Sequence, residues 1–243
     1  MTHSHGGVAM LERTYLFWDI DGTLLTTGGA GLRAWQQAIG EVLGIADGLA
    51  GARTSGMTDG EIALGLCREA GCDNAGALAD LLQAYERALP EHLSSPGGHV
   101  MPNVREGLEA LSARDDVVNM LLTGNLASTA RLKLEHHGLW RFFTAGGAFS
   151  SEGLDRPGIA RRARALAAQH AGEEPSGEQM VVIGDTPHDV ACGKAIGART
   201  VAVASGSSYT LPELEAVEPW RAASQLPDPA LLPSLLGLAP AGR

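Results

Sequence analysis

The sequence predicts an α/β fold: a Rossmann-like parallel sheet with helices on both faces, interrupted by one inserted unit built from helices alone. Three observations predict it. Short β-type apolar runs recur along the chain, each followed by a polar or glycine-rich turn. Between them lie patterns with apolar residues three or four apart, the helical spacing. One long stretch then carries helical patterns in succession without a convincing strand. Strands that alternate with helices imply parallel pairing with both sheet faces covered.

In chain order, the strand-like runs are Thr14 to Trp18, Val117 to Leu122, Met180 to Ile183 and Thr200 to Val203. Phe142 to Phe149 is a weaker fifth, interrupted by Gly146 and Gly147. Val104/Leu108/Leu111 and Ile159/Ala163/Leu166 mark helices of the sheet-forming unit. From about Gly31 to Leu93 the alternation stops. Leu32, Trp35, Ile39, Val42 and Leu43 outline a first helix, Ile62 and Leu66 a second, and Leu78, Leu81, Leu82, Tyr85 and Leu89 a third. Thr26-Thr27-Gly28-Gly29 and Ser94-Ser95-Pro96-Gly97-Gly98 read as linkers on either side. The expected division is an α/β core at 8–27 and 99–243, with a helical insert at 28–98. The Ala/Leu-rich tail after Leu226 reads as a short closing helix or loop, and there is no internal repeat.

At 243 residues, 44% of them hydrophobic, the chain can bury a substantial core. A formal net charge of -10 argues against a nucleic-acid or anionic-membrane surface, either of which needs clustered Lys and Arg. The sparse cysteines, Cys67, Cys72 and Cys192, lack metal-site spacing and suggest reduced thiols of a cytoplasmic protein. No stretch approaches the ~20 apolar residues that span a bilayer. The start, MTHSHGGVAM, lacks the cationic flank and apolar run of a signal peptide, and His3 and His5 read as terminal residues rather than ligands.

The chemistry concentrates where strands end. The first run leads into FWDIDGTLL, with Asp19 and Asp21 one residue apart; if the strand continues, both side chains point to one face. Two like charges so close repel, and burial worsens the repulsion, so a bound cation is the natural compensation. Ligands of open parallel sheets bind beyond the carboxyl ends of the strands. After the second run come Thr123-Gly124-Asn125, and after the run ending at Ile183 come Gly184-Asp185-Thr186, with Asp189 one turn on. Carboxylates and a hydroxyl converging on one crevice suit Mg²⁺, which takes one or a few carboxylates, waters and a substrate phosphate. Thr123 also reads as a cap of the following helix, and Asp189 as a first-turn acid complementing a helix dipole. Thr27-Gly28-Gly29-Ala30-Gly31 lacks the Lys of a phosphate loop, and His136, His137 and His188 read as surface residues.

These motifs resemble those of the haloacid dehalogenase superfamily. Asp19-Ile20-Asp21-Gly22-Thr23 matches its first motif, Leu121-Leu122-Thr123-Gly124-Asn125 the second and Gly184-Asp185-Thr186-Pro187-His188-Asp189 the fourth. The resemblance runs from Leu11 to about Ser207, and the insert looks like the family's α-helical cap. It implies that Asp19 attacks phosphorus to form an aspartyl-phosphate, while Asp21 acts as acid and then base. It implies Mg²⁺ on Asp19, the Asp21 backbone carbonyl and Asp185, with Asp189 in support. Thr123, the Gly124 amide and Asn125 would bind phosphate oxygens. The third motif departs from the family pattern, usually a lysine ahead of the fourth motif. Only two lysines exist; Lys133 rides the helix after Thr123 and Lys194 follows the fourth motif, so neither fits. Arg156, in Ser150-Ser151-Glu152-Gly153-Leu154-Asp155-Arg156-Pro157, is the candidate replacement, similar to members that use Arg.

The expected activity is that of a Mg²⁺-dependent, phosphoglycolate-phosphatase-like hydrolase acting on a small phosphorylated metabolite. A 2-haloacid dehalogenase would not carry Asp21. A phosphonoacetaldehyde hydrolase needs a cap lysine, which residues 28–98 lack, and that lack also weakens a sugar-phosphate mutase. A catalytically silent binding protein on the same fold is the non-enzymatic alternative, opposed by the intact acids. Arg53-Thr54-Ser55-Gly56-Met57-Thr58-Asp59, similar to the Gly-x-Thr-Asp loop of relatives, either enters the pocket or simply starts a helix capped by Thr58 or Asp59.

Overall fold

The computed structural model describes residues 13–45, 49, 54–72, 74–150 and 155–240. His3, His5, Arg53 and the 151–154 part of the segment before Asp155 lie outside the described residues. In order, the elements are β1 (Thr14–Trp18), β2 (Leu25–Thr26), α1 (Ala30–Leu43), α2 (Asp59–Glu69), α3 (Ala75–Leu93), β3 (His99–Val100), α4 (Val104–Ser112) and β4 (Val117–Leu122). There follow α5 (Ala127–His136), β5 (Gly147–Ala148), α6 (Arg156–Ala171), β6 (Met180–Gly184), α7 (Pro187–Ala195), β7 (Arg199–Val203), α8 (Leu211–Glu215), β8 (Arg221–Ala223) and α9 (Leu232–Leu236).

Six strands form one sheet in the order β5-β4-β1-β6-β7-β8, with every neighbouring pair parallel. β1 is central because its run TYLFW is apolar on both faces, as a strand covered by helices on each side must be. Its side chains alternate between two cores. Leu16 and Trp18 join Leu108 and Leu111 of α4 and Leu134 of α5. Tyr15 and Phe17 join Ile159 and Ala163 of α6 and Cys192 of α7 on the other face. Burying a side chain of this size contributes roughly 1.5–3 kcal/mol. The Trp18 indole keeps its polar requirement inside the core by donating to Asn119 Oδ1 at 3.0 Å.

The helical insert leaves and returns through β2 and β3, which pair antiparallel with Leu25 opposite Val100 and Thr26 opposite His99. α1, α2 and α3 enclose a core of their own, containing Trp35, Ile39, Ile62, Leu66, Leu81, Tyr85 and Leu89. Trp35 and Tyr85 stack at 4.1 Å between ring centroids. α2 starts with a capping box, in which Thr58 Oγ1 accepts from the Glu61 amide and the Glu61 carboxylate accepts from the Thr58 amide.

The structure departs from the sequence expectation at the edges. The run Phe142 to Phe149 supplies only the two-residue β5, because Trp140–Phe142 coils into a 3₁₀ turn. β8 has no apolar run to announce it; it is a half-buried edge strand of Arg and Ala. β2 and β3 are too short to show a period. The tail after Leu226 does form a closing helix, α9, whose Leu232 and Leu236 seal the core beneath α4.

Candidate active site

β1 ends at Trp18, yet the Asp19 amide takes one further step along the sheet by donating to Ile183 O at 2.9 Å. The chain then turns tightly around the Ile20 carbonyl, which accepts from the Leu24 and Leu25 amides. The strand therefore stops before Asp21, and the two acids part company while still lining one cleft. Gly22 makes the turn possible. Its φ of +84° is open to glycine, and a Cβ there would sit 2.4 Å from Asp185 Oδ2.

Asp19, Asp185 and Asp189, all buried, bring carboxylate oxygens within 4.8 Å of one another. Burial first, and then the charge of Asp189, push the Asp19 carboxyl up to about 7, against the pull of Arg156 and the Thr123 hydroxyl. Asp185 is held well above the ordinary carboxylate range by burial, Asp189 and Asp19, although Thr23 donates to it at 3.2 Å. Arg156 is the buried counter-charge, with Nη1 3.0 Å from Asp189 Oδ1. Burial works to lower its pKa, but Asp189 and Asp19 outweigh it and hold the guanidinium charged. One guanidinium among these acids leaves an excess of negative charge on hard oxygen donors, and that donor set fits a divalent cation such as Mg²⁺. Asp189 also closes the capping box of α7, its Oδ2 accepting from the Thr186 amide and hydroxyl. The reading of Asp189 as a first-turn acid of α7 therefore holds, and the same side chain stands in the acid cluster.

Asp21 belongs to a second cluster. Thr123 stands at the end of β4, not at a cap; α5 begins after Leu126 without a side-chain cap. Asn125 Nδ2 donates to Thr123 Oγ1 at 2.7 Å and to Asp21 Oδ2 at 2.9 Å. Lys133 Nζ donates to the same Asp21 oxygen at 2.6 Å and to Asn125 Oδ1 at 2.5 Å. The sequence reading places neither lysine at the site, but Lys133 is buried there and lines the cleft. The signal was its spacing: Thr129, Ala130, Lys133 and Leu134 form the buried face of α5, so its side chain turns inward. Lys194 instead donates to Val217 O on the exposed surface, as expected. His136 and His188 are exposed.

The insert meets the core directly over these groups. The Asp59 amide donates to Gly124 O at 2.8 Å, and Asp59 Oδ2 accepts from the Leu126 amide and from Thr129 Oγ1. Burial raises the Asp59 pKa, with Lys133 opposing. Arg156 Nε donates to Gly56 O at 2.9 Å. A Cβ on Gly124 would lie 2.9 Å from Met57 O, so glycine lets the two segments touch. The described part of the Arg53–Asp59 segment therefore does both things the sequence allowed: it enters the pocket and it caps α2.

The resulting cleft, about 260 Å³, is lined by Asp19, Asp21, Thr123, Gly124, Asn125 and Arg156 on the core side. Trp35, Met57 and Tyr85 are among the residues that line it from the insert. Asp185 and Asp189 sit against Asp19.

The chain belongs to the haloacid dehalogenase-like hydrolase family, whose model matches residues 16–194. It is thus a hydrolase of that family, built on an α/β core. No curated protein matches the sequence. Among solved structures, a hydrolase from Pseudomonas syringae is similar, with TM-score 0.67 and 24% identity over 94% of this chain and 100% of its own. A predicted phosphoglycolate phosphatase from Haemophilus somnus 129PT gives TM-score 0.66 and 18% identity over 93% of this chain and 99% of its own. CbbY from Rhodobacter sphaeroides, in complex with phosphate, gives 0.65 and 15% over 89% and 95%. Among the described residues, no helix is long and apolar enough to cross a membrane.

Proposed function

We propose that the protein is a Mg²⁺-dependent phosphatase that hydrolyses a small phosphomonoester through an aspartyl-phosphate on Asp19. The observation that carries the proposal is the placement of Asp19: buried at the end of the central strand, clustered with Asp185 and Asp189, and open to a cleft that Thr123, Gly124 and Arg156 also line. The names of two similar structures, a phosphoglycolate phosphatase and a phosphate complex, support the same chemistry.

In the first half-reaction an Asp19 oxygen bonds to phosphorus, the bond to the leaving oxygen breaks, and Asp21 gives that oxygen its proton. In the second, Asp21 takes a proton from water as the water oxygen attacks the acyl phosphate, which frees Asp19 and inorganic phosphate. The Asp21 side chain is 43% exposed, accessible to both the leaving oxygen and water. Asp19, Asp185 and the Asp21 backbone carbonyl would hold Mg²⁺, with Asp189 in support. The ion supplies charge neutralisation around the transferring group. Thr123, Gly124 and Asn125 orient phosphate oxygens, and Arg156 offsets the charge of Asp19 and phosphate together, in the role of the usual lysine. Residues 28–98 act as the cap that covers the substrate.

The test is hydrolysis of an aryl phosphate by the purified protein with and without Mg²⁺, with acid-quenched protein analysed by mass for phosphate on Asp19. Release of phosphate that persists in Asp19→Ala would remove the covalent mechanism.

A further inference from the structure

We infer that the leaving group is an uncharged, largely apolar, ring-sized alcohol, not an anionic one such as the glycolate of phosphoglycolate. The inference rests on the phosphatase reading and concerns the other half of the same cleft. In the wall on the insert's side of that half Leu32 and Met57 stand open, backed by the buried Trp35, Leu49, Ile62 and Tyr85, with Thr54 and Ser55 beside them. Leu32 and Met57 are 46% and 38% exposed although they border a cleft, so apolar surface stands open where a ligand would cover it. Trp35, stacked on Tyr85 and almost wholly buried, backs these residues rigidly from inside the insert.

Charge points the same way. The cations among the described lining residues, Lys133 and Arg156, lie on the phosphate side and are already paired with Asp21 and Asp189. The described charge that the insert adds to the lining is Asp59, an acid. Its influence reaches the wall: burial first, then Asp59 and Asp21, push the Tyr85 phenol well above its ordinary value. A second anion on the substrate would face these acids with no unpaired cation among the described lining residues. Size is consistent too. A cavity of about 150 Å³ holds benzene, so about 260 Å³ takes one ring and a phosphoryl group.

The experiment compares kcat/KM for benzyl phosphate and phosphoglycolate, both esters of primary alcohols, with Mg²⁺ at neutral pH. Covering one ring with apolar surface predicts a preference of ~10-fold or more for benzyl phosphate; any smaller ratio overturns the inference and leaves the phosphatase reading standing. Turnover of neither these esters nor an aryl phosphate removes both. Leu32→Arg, at a half-exposed helix position, should cut the ratio ~10-fold, chiefly through KM; an unchanged ratio means that the wall does not contact the substrate.

Discussion

Lys133 Nζ lies 2.6 Å from Asp21 Oδ2, joining the buried face of α5 to the turn that follows β1. The ammonium is almost wholly buried, and it holds Asp21 and Asn125 in one hydrogen-bonded unit. Asp21, the expected acid and base, is therefore aimed by a residue outside the motifs.

Lys133→Ala should lower kcat/KM for an aryl phosphate by ~10²-fold, the scale of losing a preorganised charged contact. The sequence reading left Lys133 outside the site; its buried partners now argue otherwise. Lys194→Ala, which loses a bond to an exposed carbonyl, should remain near wild type in the same assay. Equal activity of all three proteins would show that Asp21 needs no help from α5.

Arg156→Ala should also cost at least ~10²-fold, since it strips the buried counter-charge from Asp189 and the Asp19 site. Arg156→Lys should recover only part, because one ammonium cannot reproduce the bonds of separate guanidinium nitrogens to Gly56 O and Asp189. Steady-state kinetics on the pair decides the matter, and full activity in Arg156→Ala would remove the role assigned to it.

Asp19→Asn should abolish turnover, because an amide nitrogen cannot attack phosphorus, while the metal-free variant melts no lower than wild type. The substitution removes a buried charge facing Asp189 and Asp185, so the fold gains rather than loses. A melting temperature well below wild type would mean that Asp19 is structural.

Chelation should silence the enzyme and Mg²⁺ restore it, whereas Ca²⁺, which tolerates higher coordination and bidentate carboxylates, should inhibit by tying up Asp19. Phosphate release unaffected by EDTA would contradict the assignment of the acid cluster to a metal.

The metal-free protein should lose stability as pH rises from about 4 to about 7. Asp19 moves from an ordinary 3.8 to about 7 in the fold, so the folded chain binds more protons than the unfolded one across that window. Stability is then greatest on the acid side of the window and falls as Asp19 is forced to ionise; Asp185 shifts in the same direction. Cation binding to the ionised carboxylates should flatten the slope. Melting temperatures of chelated and Mg²⁺-loaded protein at several pH values test the sign, and a chelated protein that gains stability with pH would refute it.

The central strands and the insert's helices were legible because their apolar periods are long and unbroken: TYLFW for β1, Leu81/Tyr85/Leu89 for α3. β5 was legible only as a longer, weaker run and β8 not at all, since edge strands of two or three residues carry no period. The acids of the site were legible because each follows a strand that is itself legible. Lys133 was missed for a different reason. A lysine on a helix reads as solvated, and only the burial of its neighbours Thr129 and Leu134 reveals that this face looks inward. Asp59 was read as part of a segment that enters the pocket or starts a helix, but the reach of its carboxylate across to Thr129 had no signal in the sequence.

The β2–β3 pair means that everything from Thr27 to Gly98 passes through a gateway two residues wide. The sheet's register is settled on either side of that gateway without reference to what lies between. Lineages descended from such a chain can lengthen, shorten or exchange the enclosed segment while Asp19 stays put at the end of β1, so new substrates can be recruited without the sheet having to be rebuilt.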